Sequence, residues 1–339
     1  MSPTPKPLAE QVVLLTGATS GIGLATARRL AAAGARLALV ARDEGDLRDL
    51  AGELEREHGG GRAVAAPADV ADRDALRAAA DRAEEALGPI DTWINDAGVA
   101  IYGAVTDVPW DDQRRLFETN YWGVVAGSLE ALRRFGGRPG KLVNVGSALS
   151  DRAMIYQGPY SASKHAVKAL TDALRMELRA EGRPISVTLI KPGAVDTPYM
   201  EHARSYMDSP GTRNPPPSYH PDVVARAIEH ACEHDVRDLD VGMGGWAVAK
   251  MGQAAPGLTD LIMEATGRLL QTSGDRPRPG MRDNLYSSAR AGEERSDMPG
   301  PPPRRTSLLL AMETNPGAVL AVAGAAGLIL ARTMRGRRR

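Results

Sequence analysis

The sequence predicts an α/β protein: a three-layer, doubly wound fold around a seven-stranded parallel sheet, followed by a helical C-terminal extension. Three observations carry this. Apolar runs of strand length alternate with amphipathic segments of helix length, the rhythm of a sheet with helices on both faces. The runs VVLL, LALV and VTLI are continuously apolar, as expected of parallel strands buried on both sides. A glycine-rich turn, TGATSGIG, lies directly between the first run and the first helical pattern.

In chain order, the strand candidates are Val12 to Thr16, Arg36 to Ala41, Ala63 to Ala66, Ile90 to Asn95, Lys141 to Gly146, Ile185 to Ile190 and a short one near Leu239 to Val241. Helical patterns lie between and after them: Ile22 to Ala33, Glu44 to His58, Arg73 to Leu87, Trp110 to Phe135, Pro159 to Glu181 and Asp222 to His234. Two segments break the rhythm. Ser209 to Ser218 is rich in proline and reads as a loop; Asp275 to Pro303 reads as a linker or irregular arm. The expected organisation is a main domain over 8–245, a helical and irregular extension over 246–306, and an apolar tail with a basic end over 307–339.

Composition narrows the function. The 42 Lys plus Arg balance 42 Asp plus Glu, which gives no support for nucleic acid as the main partner. Aromatic residues are 4%, too few to suggest base-stacking platforms. One cysteine, Cys232, excludes an intrachain disulfide and fits a reducing compartment.

The turn from Thr16 to Gly23 has the strand and helix flanks that a dinucleotide fingerprint requires. Gly17 permits a tight turn, Gly21 lets the backbone approach a pyrophosphate, and Gly23 lets the helix pack close to the sheet. The helix N-terminus offers free N–H groups and partial positive charge to phosphates. Thr19, Ser20 and Ile22 complete this set of cofactor candidates. An NAD site places an acid at the end of the second strand. Here Ala41 stands in that place and Arg42 follows, a residue able to pair with a 2′-phosphate. NADP(H) is therefore expected over NAD(H), although Asp43 next to Arg42 counts against it.

GPYSASKHA sets Tyr160 four residues before Lys164. On a helix these share a face, roughly 5–6 Å apart at Cβ. A cation beside a phenol favours the phenolate, which suits a tyrosine that gives or takes a proton near neutral pH. Taken alone, the pair reads more readily as a helix start with a surface lysine, because i,i+4 pairs are common on helices.

Together the ordered motifs resemble the short-chain dehydrogenase/reductase family over about residues 10–245: TGATSGIG, ADV at Ala68 to Val70, NDAG at Asn95 to Gly98, TNYWG around Asn120, Ser147 after the fifth strand, YSASK at Tyr160 to Lys164, and KPGAVDT at Lys191 to Thr197. The resemblance implies a Rossmann fold and a catalytic unit of Asn120, Ser147, Tyr160 and Lys164. It assigns Tyr160 the proton, Lys164 the tuning of Tyr160 and the nicotinamide ribose, Ser147 the carbonyl, and Asn120 a water in a proton relay. It also implies cofactor contacts at Asp69 and Val70, at Asn95, Ala97 and Gly98, and at Pro192, Gly193, Val195 and Thr197. Asp96 departs from the asparagine more common in that motif. The pattern DRPRPGMRDNLY, Asp275 to Tyr286, looks like that of a bacterial subgroup.

The expected reaction is NAD(P)(H)-dependent hydride transfer to or from a ketone, aldehyde or secondary alcohol. An epimerase or dehydratase on the same residues, or a nonenzymatic dinucleotide sensor, is the alternative. Ile101, Tyr102, Met154, Ile155, Tyr156, Tyr199 and Met200 predict an apolar substrate lining. Tyr156 competes with Tyr160 as the phenol but has no lysine at i+4. His230, His234, Cys232 and Glu229 cluster in sequence, but no second ligand group accompanies them and no metal is expected. The resemblance also implies a homodimer or homotetramer through the two long helices. The N-terminus shows no secretory signal pattern. Thr314 to Ala331 is uncharged and precedes five arginines, at the lower limit of spanning length. The expected location is cytoplasmic, with membrane association through the tail as the alternative.

Overall fold

The computed structural model describes residues 6–274, 283–288, 292–315 and 317. Seven strands form one sheet: β1 Val12–Thr16, β2 Arg36–Val40, β3 Ala63–Ala65, β4 Thr92–Asn95, β5 Gly140–Val145, β6 Ile185–Pro192 and β7 Asp238–Val241. Their order is β7-β6-β5-β4-β1-β2-β3, and every neighbouring pair is parallel. The direction of winding reverses between β1 and β4, which leaves a crevice at the carboxyl ends of these two strands.

The helices are α1 Gly21–Ala32, α2 Glu44–His58, α3 Arg73–Leu87, α4 Trp110–Phe117, α5 Gly123–Phe135, α6 Gly158–Ala180, α7 Pro221–Glu233, α8 Met243–Ala254, α9 Pro256–Gln271 and α10 Leu308–Thr314. Successive strand residues point to opposite faces of the sheet. Val13, Leu15, Ile94 and Val143 accordingly pack with Leu24, Leu47, Val224 and Ile228 from α1, α2 and α7. Val12, Leu14, Trp93 and Leu142 pack with Leu76, Ala131 and Leu174 from α3, α5 and α6. Each fully buried aliphatic side chain contributes roughly 1.5–3 kcal/mol, so two-sided burial dominates the stability of the sheet.

Local signals set the helix ends. The Asp43 side chain accepts from Asp46 N (3.0 Å) and caps α2, and Asp72 caps α3 in the same way through Asp74 N and Ala75 N. The expected continuous helix from Trp110 to Phe135 is instead interrupted. A π turn at Glu118–Trp122, closed by Gly123 N–H on the Glu118 carbonyl, separates α4 from α5. No glycine or proline marks it within that turn, so periodicity could not reveal it.

The expected boundary at residue 245 falls inside α8. Ser209 to Ser218 is a loop with one short ladder: Gly211–Thr212 pairs antiparallel with Thr272–Ser273 at the end of α9. Ile101–Tyr102 pairs with Arg204–Ser205. α10 lies against β7 and buries Leu309 and Leu310. Among the described residues no helix is long and apolar enough to cross a membrane. Residues 318–339, which carry most of the apolar tail and all its arginines, lie outside the described residues.

Candidate active site

The carboxyl ends of β1, β4, β5 and β6 open onto a cavity of about 380 Å³. Gly17, Ser20, Gly21 and Ile22 line it from the glycine turn, and Pro192, Gly193, Val195 and Thr197 from the exit of β6. Ser147, Tyr160 and Lys164 line it between these groups. A second, adjoining cavity takes Thr19, Arg42, Asp69 and Val70, and shares Gly17, Ser20, Ala97 and Gly98 with the first. Most of the residues singled out in the sequence therefore meet along one crevice.

Three do not line it. Gly23 lies in the first turn of α1, and a Cβ there would sit 2.0 Å from the Gly17 carbonyl oxygen. Asn95 is turned into the core, where it accepts from Trp93 Nε1 (2.9 Å) and donates to Asn144 Oδ1 (2.9 Å). That network occupies its amide, so its place is behind the crevice rather than in it. Asn120 is fully buried in the π turn. Its Oδ1 accepts from Val99 N (2.8 Å), and its Nδ2 donates to Val99 O (3.0 Å) and Ser163 Oγ (3.2 Å). Ser163 donates in turn to the Tyr160 carbonyl (2.7 Å). Asn120 thus ties the loop after β4 to the first turns of α6.

Tyr160 and Lys164 stand on one face of α6, and both are buried. Lys164 Nζ donates to the Val145 carbonyl at the end of β5 (2.8 Å) and lies 5.8 Å from the centroid of the Tyr160 ring. The lysine is therefore held by the sheet rather than free in solvent. The Ser147 Oγ accepts from Leu149 N (3.0 Å), which fixes the side chain while leaving its O–H available to donate. Tyr156 adopts a positive φ of 63° and lines neither cavity.

Of the expected substrate lining, Tyr102, Met154 and Tyr199 face the cavity, and Ile101, Ile155 and Met200 do not. The Tyr199 ring meets Tyr160 edge to face, with centroids 5.7 Å apart. Burial, with Tyr160 and Tyr102 nearby, raises the Tyr199 phenol well above the ordinary tyrosine value, and burial raises Tyr102 as well. Both remain neutral hydroxyls at any physiological pH. α8 and α9 add Gly244, Gly245, Val248 and Leu270 to the lining. Gln271, fully buried, accepts from Gln157 Nε2 (2.6 Å) and donates to the Ile155 carbonyl (2.8 Å), so α9 is pinned to the loop before α6.

At the other end, Arg42 Nη2 donates to the Asn284 carbonyl (2.8 Å). Burial lowers the Arg42 guanidinium from its ordinary value, against an opposing pull from Asp69. A cation short of water suits an anionic partner. The neighbouring Asp43 caps α2 by accepting from Asp46 N, and its charge still counts against a 2′-phosphate beside Arg42. Burial works against the Asp69 carboxylate, but the Ala71 N–H and the Arg115 guanidinium (2.6 Å) outweigh it and hold Asp69 below its usual range. Thr119 Oγ1 and Asn284 Oδ1 are buried without hydrogen-bond partners, and both residues line the second cavity. Cradling glycines, a desolvated arginine and orphaned polar oxygens fit an extended dinucleotide. Sequence reasoning assigned no role to Thr119 or Asn284, although both fall inside quoted patterns, and missed His202, which belongs to none.

Asp96 lines the first cavity beside Lys164. Burial pushes its carboxyl up to about 7, with Lys164 pulling the other way. The folded value exceeds the unfolded one, so the folded state holds a proton that the unfolded chain has released between about pH 4 and the folded value. Stability therefore falls as pH rises through that window. Asp96→Asn is expected to raise the thermal midpoint by a few degrees near pH 8 and to leave it unchanged near pH 4, the partial exposure of the side chain keeping the gain small. Equal midpoints at both pH values would show that Asp96 is well solvated.

Among the described residues no group of His, Cys, Asp and Glu is placed to hold a metal ion. Glu229 is paired with Arg29 (2.5 Å), and the His230 and His234 rings stack at 3.9 Å.

A family model described as short chain dehydrogenase matches residues 11–208. An uncharacterized oxidoreductase of Bacillus subtilis, YxnA, is 43% identical over 261 residues, covering 76% of this chain and 73% of its own. Among solved structures, a short chain dehydrogenase/reductase from Burkholderia phymatum in complex with NAD superposes with a TM-score of 0.64 at 26% identity, over 73% of this chain and 94% of its own. A variant of actinorhodin polyketide ketoreductase with NADPH superposes with a TM-score of 0.62 at 32% identity, over 70% and 97%.

Proposed function

Because the chain belongs to the short-chain dehydrogenase/reductase family of oxidoreductases, we propose that it interconverts a lipophilic ketone or aldehyde and the corresponding alcohol with NADP(H). One observation carries the reading: Tyr160, Lys164 and Ser147 line the same cavity as the glycine turn and the β6 exit. The nicotinamide, when bound, supplies or accepts the hydride. The protein's own part is to manage charge and proton at the carbonyl oxygen. As carbon gains hydride, that oxygen becomes negative, and the Ser147 hydroxyl donates a hydrogen bond to it. Tyr160 passes its phenolic proton to the same oxygen. The Lys164 ammonium, fixed by the Val145 carbonyl, stabilises the negative charge left on Tyr160. Asn120 braces the helix start that carries the tyrosine. The reverse direction uses the same groups with the proton returning.

The cofactor would run from Gly21 and the β6 exit to Arg42, with the nicotinamide toward Tyr160. The ketoreductase neighbour with NADPH and the neighbour with NAD differ on the cofactor, so the preference rests on Arg42. Arg42→Ala should weaken NADPH binding by about tenfold or more, corresponding to a charge-assisted contact of roughly 1.5–3 kcal/mol, and change NADH binding far less. Titration of both cofactors by fluorescence measures this, and equal losses would assign Arg42 a purely structural role. The apolar side of the cavity, with Tyr102, Met154, Tyr199, Val248 and Leu270, supports a lipophilic substrate. A panel of such ketones and aldehydes, followed by the absorbance of reduced nicotinamide, tests the whole reading. Consumption of cofactor with none of them would overturn it. Exposed Trp110, Trp122, Leu129 and Met176 on α4, the π turn, α5 and α6 support a homo-oligomer through that face.

A further inference from the structure

Asn284 lines both cavities and Ser288 the second, and the segment 292–297 is hydrogen-bonded to the glycine turn. Asn284 N donates to the His202 carbonyl (2.9 Å), and its own carbonyl accepts from Arg42. The Leu285 side chain is fully buried in an apolar cluster with Val99, Ile101, Val108, Leu116 and Tyr160, and its carbonyl accepts from Arg115 Nε (3.0 Å). Tyr286 donates to Asp112 (2.8 Å). Farther along, Gly292 N donates to the Thr19 carbonyl (2.9 Å) and Gly21 N to the Glu293 carbonyl (2.9 Å). Glu294 pairs with Arg28 (2.7 Å), and Arg295 with Asp196 (2.7 Å). These contacts span the crevice from the Arg42 end to the exit of β6.

Gly17, Ser20, Ala97, Gly98, His202 and Asn284 are common to both cavities. A dinucleotide running from one cavity to the other would have to pass along these residues. Asn284 Oδ1 is buried there with no partner. A buried acceptor left unmade costs roughly 1–3 kcal/mol, so it marks a place where a donor belongs. We propose that the segments 283–288 and 292–297 form a strap over the bound dinucleotide, and that Asn284 holds it by accepting a hydrogen bond from a ribose hydroxyl. The Leu285 side chain anchors the strap, and the carbonyl groups of Asn284 and Glu293 fix it to the two cofactor-facing elements, Arg42 and the glycine turn. The strap acts on the part of the cofactor common to NADP(H) and NAD(H), unlike Arg42.

This inference rests on the dinucleotide reading above. Stopped-flow displacement on the full chain gives the dissociation rates of NADPH and NADH. Asn284→Ala should raise both rates about fivefold to tenfold, leave the preference between them unchanged, and leave the thermal midpoint of the cofactor-free protein as it is. Leu285→Ala, which loosens the anchor without touching the cofactor, should raise both rates as well. Amide exchange in 283–288 should slow when NADPH is added to the parent. Unchanged dissociation in Asn284→Ala, or tighter binding once the strap is loosened, overturns the strap alone. Failure of the parent to bind either dinucleotide overturns the strap together with the cofactor reading.

Discussion

Tyr160→Phe is expected to lower turnover by about a thousandfold or more while NADPH binding stays within about threefold of the parent. The substitution removes one hydroxyl and almost no volume, and the ring keeps its contacts with Tyr199 and with the cluster around Leu285. The carbonyl oxygen then gains charge with no acid beside it. Neither neighbouring phenol replaces the lost one, because burial holds both Tyr102 and Tyr199 protonated through the pH range and neither has a lysine four residues on. Single-turnover measurement with saturating cofactor separates the chemical step from binding. Parental turnover in this variant would refute the proton assignment.

Gly23→Ala is expected to abolish cofactor binding and to lower stability by roughly 1–3 kcal/mol or more. The added carbon would lie 2.0 Å from the Gly17 carbonyl oxygen and 2.9 Å from Asp96 Oδ2. The first is backbone, so it can yield only if the turn after β1 moves. That turn is itself constrained, since Gly17 has a φ of 74° and its own missing side chain faces Ala97 Cα at 2.9 Å. Denaturant unfolding and NADPH titration measure the two effects. Wild-type affinity in a stable variant would mean that α1 can shift away from β1 without cost, contrary to such close packing.

The alternation of strands and helices was legible because both faces of the sheet are buried, which forces continuous apolar runs such as VVLL. Tyr160 and Lys164 were legible for a different reason: one helix brings i and i+4 together without help from the rest of the chain. Asn95 misled, since its motif lies at the crevice while its side chain points away, into a buried network with Asn144 and Ser128 that only the strand pairing creates. Asn284 fell within the pattern DRPRPGMRDNLY, but nothing in that pattern gave it a role. It belongs to a segment whose composition reads as a linker, and its significance depends on contacts with Arg42 and His202, far away in sequence. The π turn was hidden as well, since helical periodicity continues through it.

The pinning of α9 through Gln157 and Gln271, and through the ladder between Gly211–Thr212 and Thr272–Ser273, holds Leu270 against the cavity that Tyr160 and Lys164 line from the sheet domain. On the function proposed above, Val248 and Leu270 share the substrate wall with Tyr102, Met154 and Tyr199 but stand on helices that carry none of the proposed proton-transfer groups. Exchange of small and large side chains on α8 and α9 would then shift substrate range while leaving Ser147, Tyr160 and Lys164 untouched, which makes these two helices a place to retune the protein toward bulkier or slimmer substrates.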